Sequence, residues 1–273
     1  INIISPNAGS GGVSGFVSMT TGDSTSGVSG LIQLSTGKSV GGASGLLSLS
    51  SGEATGTTQD SGALLIGTGK ASGSSGAISI TGGTGKGGDG GALTLTAGGV
   101  ETNAHNGGNV AISSGSSAKS SSGAITIGSP DAGDTGSAVS GSFTLSTGDG
   151  GSSSTGGNSG SIILSTGQST KASAGNVALS VGVSQLAGSA VSIIAGDSST
   201  LDGGDVTITG GKALTTGTQA GGDILLSSGA SSKTSSGNIE LVTADGATPA
   251  PGGVSGLIKL QSGKATAGNS GVI

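Results

Sequence analysis

The chain has 273 residues, of which 62 are glycine and none is cysteine, tryptophan or tyrosine, and its formal net charge is −5. Without cysteine there is no disulfide framework or thiolate chemistry, and nine single lysines with no arginine exclude the clustered cationic surface of a nucleic-acid binder. Charged residues at 8% against hydrophobic ones at 31% depart from a disordered composition, and no apolar run approaches a membrane span.

Taken in chain order, a single unit recurs: Gly, any residue, an aliphatic, any residue, an aliphatic, two Ser/Thr-like residues, Gly. It opens at Ile1 and Ile3, then at Val17 and Met19, and becomes regular at Gly30 to Gly37 (GLIQLSTG) and Gly45 to Gly52 (GLLSLSSG). The aliphatic pairs of these two copies are Ile32 with Leu34 and Leu47 with Leu49. Ile78 and Ile80, Leu93 and Leu95, Ile125 and Ile127, Phe143 and Leu145, and Ile162 and Leu164 carry the pattern through the middle. Val206 and Ile208, Ile224 and Leu226, and Ile258 and Leu260 carry it on. First-position residues run from Ile1 to Ile273, most often at the interval that separates Val17, Ile32 and Leu47. A spacing of two places both aliphatics of a pair on one face of a strand. The ten pairs from Ile32 to Leu260 are the expected core.

The positions between the pairs repeat as well. After each pair comes a small, often hydroxylated residue (Thr21, Thr36, Ser51, Thr68, Ser114, Thr147, Thr166, Ser228). A second small column reads Ser24, Ser39, Ala54, Ala71, Gly85, Val100, Ser117 and Ala132. Aliphatics on one wall and small residues on the other describe a thin, flattened coil. Gly22, Gly37, Gly52, Gly115, Gly148, Gly167, Gly229 and Gly263 are expected at turns needing positive φ. Glycines two residues before most pairs, such as Gly30 and Gly45, are expected to face an opposing backbone, with exceptions to the glycine columns at Pro130, Ser189 and Ala244. The steps that follow Leu47, Leu93, Ile125, Phe143, Val206 and Ile239 are longer than the rest and read as bulged loops. Asp23, Lys38, Glu53 and Lys70 alternate in sign one repeat apart, as charges facing each other along the axis would.

Little in this pattern points to chemistry. His105, in ETNAHNGG, has no partner of matching phase, and the clustered carboxylates of a polysaccharide-cleaving β-helix are missing, so the reading is non-enzymatic with no cofactor. Asp205 and Asp223 occupy equivalent outward positions in adjacent repeats, with Asp202 nearby. They read either as a solvated acidic patch, the favoured view, or as a site for a cation such as Ca²⁺. Outward Ser/Thr residues, with Thr94, Thr96, Thr207 and Thr209 the clearest, form a ladder of the kind an ice-binding or adhesive face uses, interrupted by Gln33, Leu65, Ile163, Glu240 and Lys259. No N-linked acceptor sequence occurs, and O-linked glycans on the Ser/Thr rows are left open.

This array resembles the Ser/Gly/Thr-rich repeat regions of large secreted or surface proteins of microalgae and related protists, with bacterial adhesin solenoids as neighbours. The resemblance implies an extracellular or cell-surface location. The repeats themselves lead to one continuous all-β, single-stranded parallel β-solenoid (β-helix) over 1–273, with about 17 narrow coils of about 15–16 residues. Its expected role is structural, a filament or stalk built by axial stacking, and the alternative is an adhesive or ice-binding face. Ile1 and Ile273 both fall at the first aliphatic position, so the array reads as a window of a longer one or as a monomer that associates end to end.

Overall fold

The structure, a computed structural model, describes residues 1–273 apart from 11, 57–58, 102–104, 135, 152–155, 215–217, 247–252 and 267. The chain divides into two units, Ile1–Ile127 and Gly128–Ile273. Among the described residues there is neither helix nor strand. The expected β-solenoid, or β-helix, of flattened coils is therefore not the fold. The repeat is present as a period of bends, not of strands. Bends fall at Thr25–Gly27, Val40–Gly42, Lys86–Gly88, Ala118–Ser120 and, further on, Gln185–Ala187 and Ser232–Thr234.

The physical reason lies in where the backbone closes. A solenoid coil has to carry the chain along one wall and return it along another, so that each segment pairs with its equivalent one repeat later. Here the chain returns to its own starting point first. In unit Ile1–Ile127, the N–H of Gly91 donates to the carbonyl of Gly83 (2.8 Å), Gly108 to Gly98 (2.8 Å) and Gly123 to Gly115 (2.9 Å). In unit Gly128–Ile273, Gly204 donates to Gly196 (2.9 Å), Gly222 to Gly211 (2.8 Å) and Gly237 to Gly229 (2.9 Å). Each bond closes a loop whose ends lie together, as in an Ω loop. The apolar segments between loops are left without a ladder.

Burial follows from this. The accessible surface is 26458 Å²; a folded monomer of this mass exposes about 10,000 Å² and its unfolded chain about 36,000 Å². No described side chain is buried, so the expected core does not form. Ile32 and Leu34, Leu47 and Leu49, Ile78 and Ile80, Leu93 and Leu95, and Ile125 and Ile127 are all exposed in the first unit. Phe143 and Leu145, Ile162 and Leu164, Val206 and Ile208, Ile224 and Leu226, and Ile258 and Leu260 are exposed in the second. With no sheet to pair the segments, no second layer exists for these side chains to pack against. They nevertheless differ from their neighbours. Ile32 is 48% exposed beside Leu31 at 81%, and Ile162 is 48% exposed beside Ile163 at 80%. The two-residue spacing sorts side chains into a half-covered row and an open one.

The turn glycines are also corrected. Among the described residues, positive φ occurs only at Gly136 (76°), Gly156 (60°) and Gly268 (134°). Gly22, Gly37, Gly52, Gly115, Gly148, Gly167, Gly229 and Gly263 have none. Gly115 and Gly229 show what this column does instead. Their carbonyls accept the closing bond of a loop.

Candidate functional site

Among the described residues, the most organised part of six repeats is the hydrogen-bonded neck of the loop. Two glycine columns meet there: the glycine three positions after the second aliphatic supplies the carbonyl, and the glycine two positions before the next first aliphatic supplies the N–H. Close approach requires glycine on the donor side and in the small column, whereas a Cβ on the carbonyl-supplying glycines Gly83, Gly115 and Gly211 would meet open space. A Cβ on Gly30 would lie 3.0 Å from Thr21 Cγ2. At Gly82 and Gly210, where the small hydroxyl column itself becomes glycine, a Cβ would run into the carbonyls of Gly91 and Gly222. The residues that escape full exposure cluster at the same place. Ser5, Ala97, Ala195, Ser228, Thr243 and Ser262 are half-covered, as are Ala54, Ala132 and Ala213 three positions further along their repeats.

Beyond the neck, the loop tip is turned by a serine. Ser24 Oγ accepts a hydrogen bond from Gly27 N–H (3.0 Å), Ser39 from Gly42 (3.2 Å), Ser117 from Ser120 (2.9 Å) and Ser169 from Ala172 (3.1 Å). Ser198 accepts from Leu201 (2.9 Å), Ser231 from Thr234 (2.9 Å) and Ser184 from Leu186 (3.2 Å). A serine oxygen that accepts a nearby backbone N–H is a common way to bend a chain locally. All of these serines lie at one phase of the repeat, in the column expected to be a narrow return wall. That column is the hinge of the loop.

A tip serine occurs only in short loops, although the short loops of Ala71, Gly85 and Ala265 do without one. Every repeat with a tip serine keeps the commonest step, as Val17 to Ile32 does, or falls one short of it, as Val177 to Val191 does. The long steps after Leu47, Leu93, Ile125, Phe143, Val206 and Ile239 carry Ala54, Val100, Ala132, Gly150, Ala213 and Gly246 at that position instead. Sorting the repeats by length would have exposed this rule, which an average period conceals.

The remaining candidate residues are not gathered into one place. Among the described residues, no three of His, Cys, Asp or Glu are grouped so as to hold a metal ion, so Asp202, Asp205 and Asp223 do not come together as a cation site. Asp205 and Asp223 each directly follow a neck donor, Gly204 and Gly222. His105 is exposed, and its neighbours 102–104 lie outside the described residues. Thr94, Thr96, Thr207 and Thr209 are exposed, on segments that are not strands. Asp23, Lys38, Glu53 and Lys70 are likewise exposed, and among the described residues no ion pair joins them. No helix among the described residues is long and apolar enough to cross a membrane.

Comparison with protein families, with curated proteins and with solved structures finds no match to this chain. Neck, hinge and half-covered aliphatic row therefore supply the functional argument.

Proposed function

We propose that this chain is a non-enzymatic structural protein of an extracellular or cell-surface filament, stalk or matrix, and that it works by associating with copies of itself. One observation carries the reading. An aliphatic pair recurs at every repeat, in phase, and after the first pair each is left half to three-quarters open to solvent, from Ile32 at 48% to Leu179 at 75%. Covering the open half of such a side chain against another molecule stabilises association, because burying a whole aliphatic is worth about 1.5–3 kcal/mol. Repetition along the chain multiplies a weak contact into a strong one. The glycine-closed loops keep the intervening chain hydrated and leave the aliphatic pairs as the recurring contact.

Association end to end was expected from bare strand edges, and the described residues have no strand. The rows of aliphatic pairs along the chain are the surface in its place. No observation favours the adhesive or ice-binding alternative, since a Ser/Thr ladder needs a flat backing that unpaired segments do not supply. Sedimentation velocity and negative-stain microscopy test the proposal. The purified chain should form assemblies that grow with concentration, and replacing Ile32, Leu34, Leu47 and Leu49 with serine should weaken them. A chain that stays monomeric at all concentrations overturns it.

A further inference from the structure

All charged residues of unit Ile1–Ile127 lie in its loops, and none lies in the apolar segments between them. Their signs form an order. Asp23 stands in the first complete loop, Lys38 in the next, then Glu53, then Lys70; Glu101 and Lys119 resume the alternation after a loop in which Lys86 and Asp89 cancel. Glu53's loop also holds Asp60, which strengthens its sign. These groups are exposed, and no ion pair ties one to another among the described residues. The charge order is therefore free to face outward.

From this we infer that the loops of unit Ile1–Ile127 form an interaction surface for a second copy of the same chain, and that their alternating charge sets its register to parallel, staggered by one repeat. The inference rests on the proposed self-association and specifies its geometry. Two copies aligned in register place every charged loop against one of its own sign, which opposes contact. A shift of one repeat places Asp23 against Lys38, Lys38 against Glu53, Glu53 against Lys70 and Glu101 against Lys119, and within this unit it sets no two loops of like net charge together. An antiparallel pairing at zero shift brings Lys70 against itself. Each exposed pair is weak, so the charges choose among alignments that the aliphatic pairs hold together. Like charges suppress wrong registers as unlike charges favour the right one.

The test mixes isotopically light and heavy full-length chains and joins adjacent carboxylates and amines with a zero-length carbodiimide before mass spectrometry. Light-to-heavy links Asp23–Lys38, Lys38–Glu53, Glu53–Lys70 and Glu101–Lys119 are expected. Association should weaken about tenfold between 0.01 M and 1 M salt, where the screening length falls from about 30 Å to about 3 Å. The triple variant Lys38→Glu, Lys70→Glu, Lys119→Glu should lose at least tenfold in association. Mixing it with Asp23→Lys, Glu53→Lys, Glu101→Lys should restore the loss. Assemblies indifferent to salt and to charge reversal, or cross-linked chiefly as Asp23–Lys119 and Lys38–Glu101, overturn the stagger while leaving self-association standing. A chain that does not associate at any salt overturns the proposed function itself.

Discussion

Units Ile1–Ile127 and Gly128–Ile273 are built from one repeat and share its necks and tip serines, but only the second adds positive-φ glycines to its loops among the described residues. In the first, no step is longer than Leu47 to Leu64 or Leu93 to Val110, all charges lie in loops and no described glycine has positive φ. Longer steps belong to the second, from Phe143 to Ile162, Val206 to Ile224 and Ile239 to Ile258, and the step from Ile125 to Phe143 leads into it. There Asp205, Asp223, Glu240 and Lys259 enter the apolar segments. All three positive-φ glycines are there, at Gly136, Gly156 and Gly268, in loops whose hinge position is Ala132, Gly150 or Ala265. The difference shows two ways to reverse a chain. A serine oxygen folds a short loop from its side chain, whereas the loops of Ala132, Gly150 and Ala265, which lack that oxygen, include a backbone conformation open to glycine. The first unit has the order needed for registered association, and the second has the room for variable loops.

The largest expected effect removes what the units share. Replacing Ile162, Leu164, Ile224 and Leu226 with serine in the second unit, or Ile32, Leu34, Leu47 and Leu49 in the first, should raise the concentration needed for assembly more than tenfold, as read by light scattering. If the two sets have equal effect, both units contribute contacts; if the first set dominates, association belongs to the charge-ordered unit. Next are the necks. Gly82→Val in the first unit and Gly210→Val in the second put side-chain atoms where an opposing carbonyl stands. Amide exchange at Gly91 and Gly222 should accelerate at least tenfold, while Gly22→Val, which meets open space, should change little.

Smaller effects separate the two hinges. Gly136→Ala and Gly156→Ala force a left-handed backbone on a residue with a Cβ, at a cost of roughly 1–2 kcal/mol. Local exchange should rise about tenfold in the second unit only. Ser24→Ala removes one exposed hydrogen bond and Ser117→Ala two, from Lys119 and Ser120, each worth about 0.5 kcal/mol at the low end of the usual range. Exchange at Gly27 and Ser120 should rise two- to threefold. A rise at Gly136 on replacing Ser24 would break the assignment of separate hinges.

Much of this arrangement is legible in the sequence alone. The aliphatic phase, both glycine columns, the small column and the places where loops lengthen all follow from spacing alone. Connectivity did not follow. Gly83 and Gly91 look the same in sequence whether they sit at opposite ends of a flattened coil or face each other across a neck, because periodicity specifies which positions are equivalent and not which carbonyl receives which N–H. The core was misjudged with it. Leu95 and Ile208 recur in perfect phase, but phase alone supplies no partner surface to bury them. Positive φ was misplaced for a related reason. Gly115 and Gly229 follow a hydroxyl pair, as a turn glycine would, yet their contribution is a carbonyl at a close approach. Ser24 and Ser117 were visible as small residues, but the hydrogen-bonding capacity of their side chains carries the structure, and size alone does not distinguish it from Ala54 or Ala132.

The neck has a consequence for how such a chain changes over generations. It closes the separation from Gly83 to Gly91 and the longer one from Gly211 to Gly222 with bonds of the same length. Lengthening a flexible loop over that range costs only roughly 0.3 kcal/mol in closure entropy. Content between two neck glycines is thus exchangeable cargo: a foreign peptide grafted between Gly211 and Gly222 should be displayed without disturbing the repeats on either side. A lineage carrying this array is free to rewrite its loops while the crowded donor glycines at their base, such as Gly91 and Gly222, stay fixed.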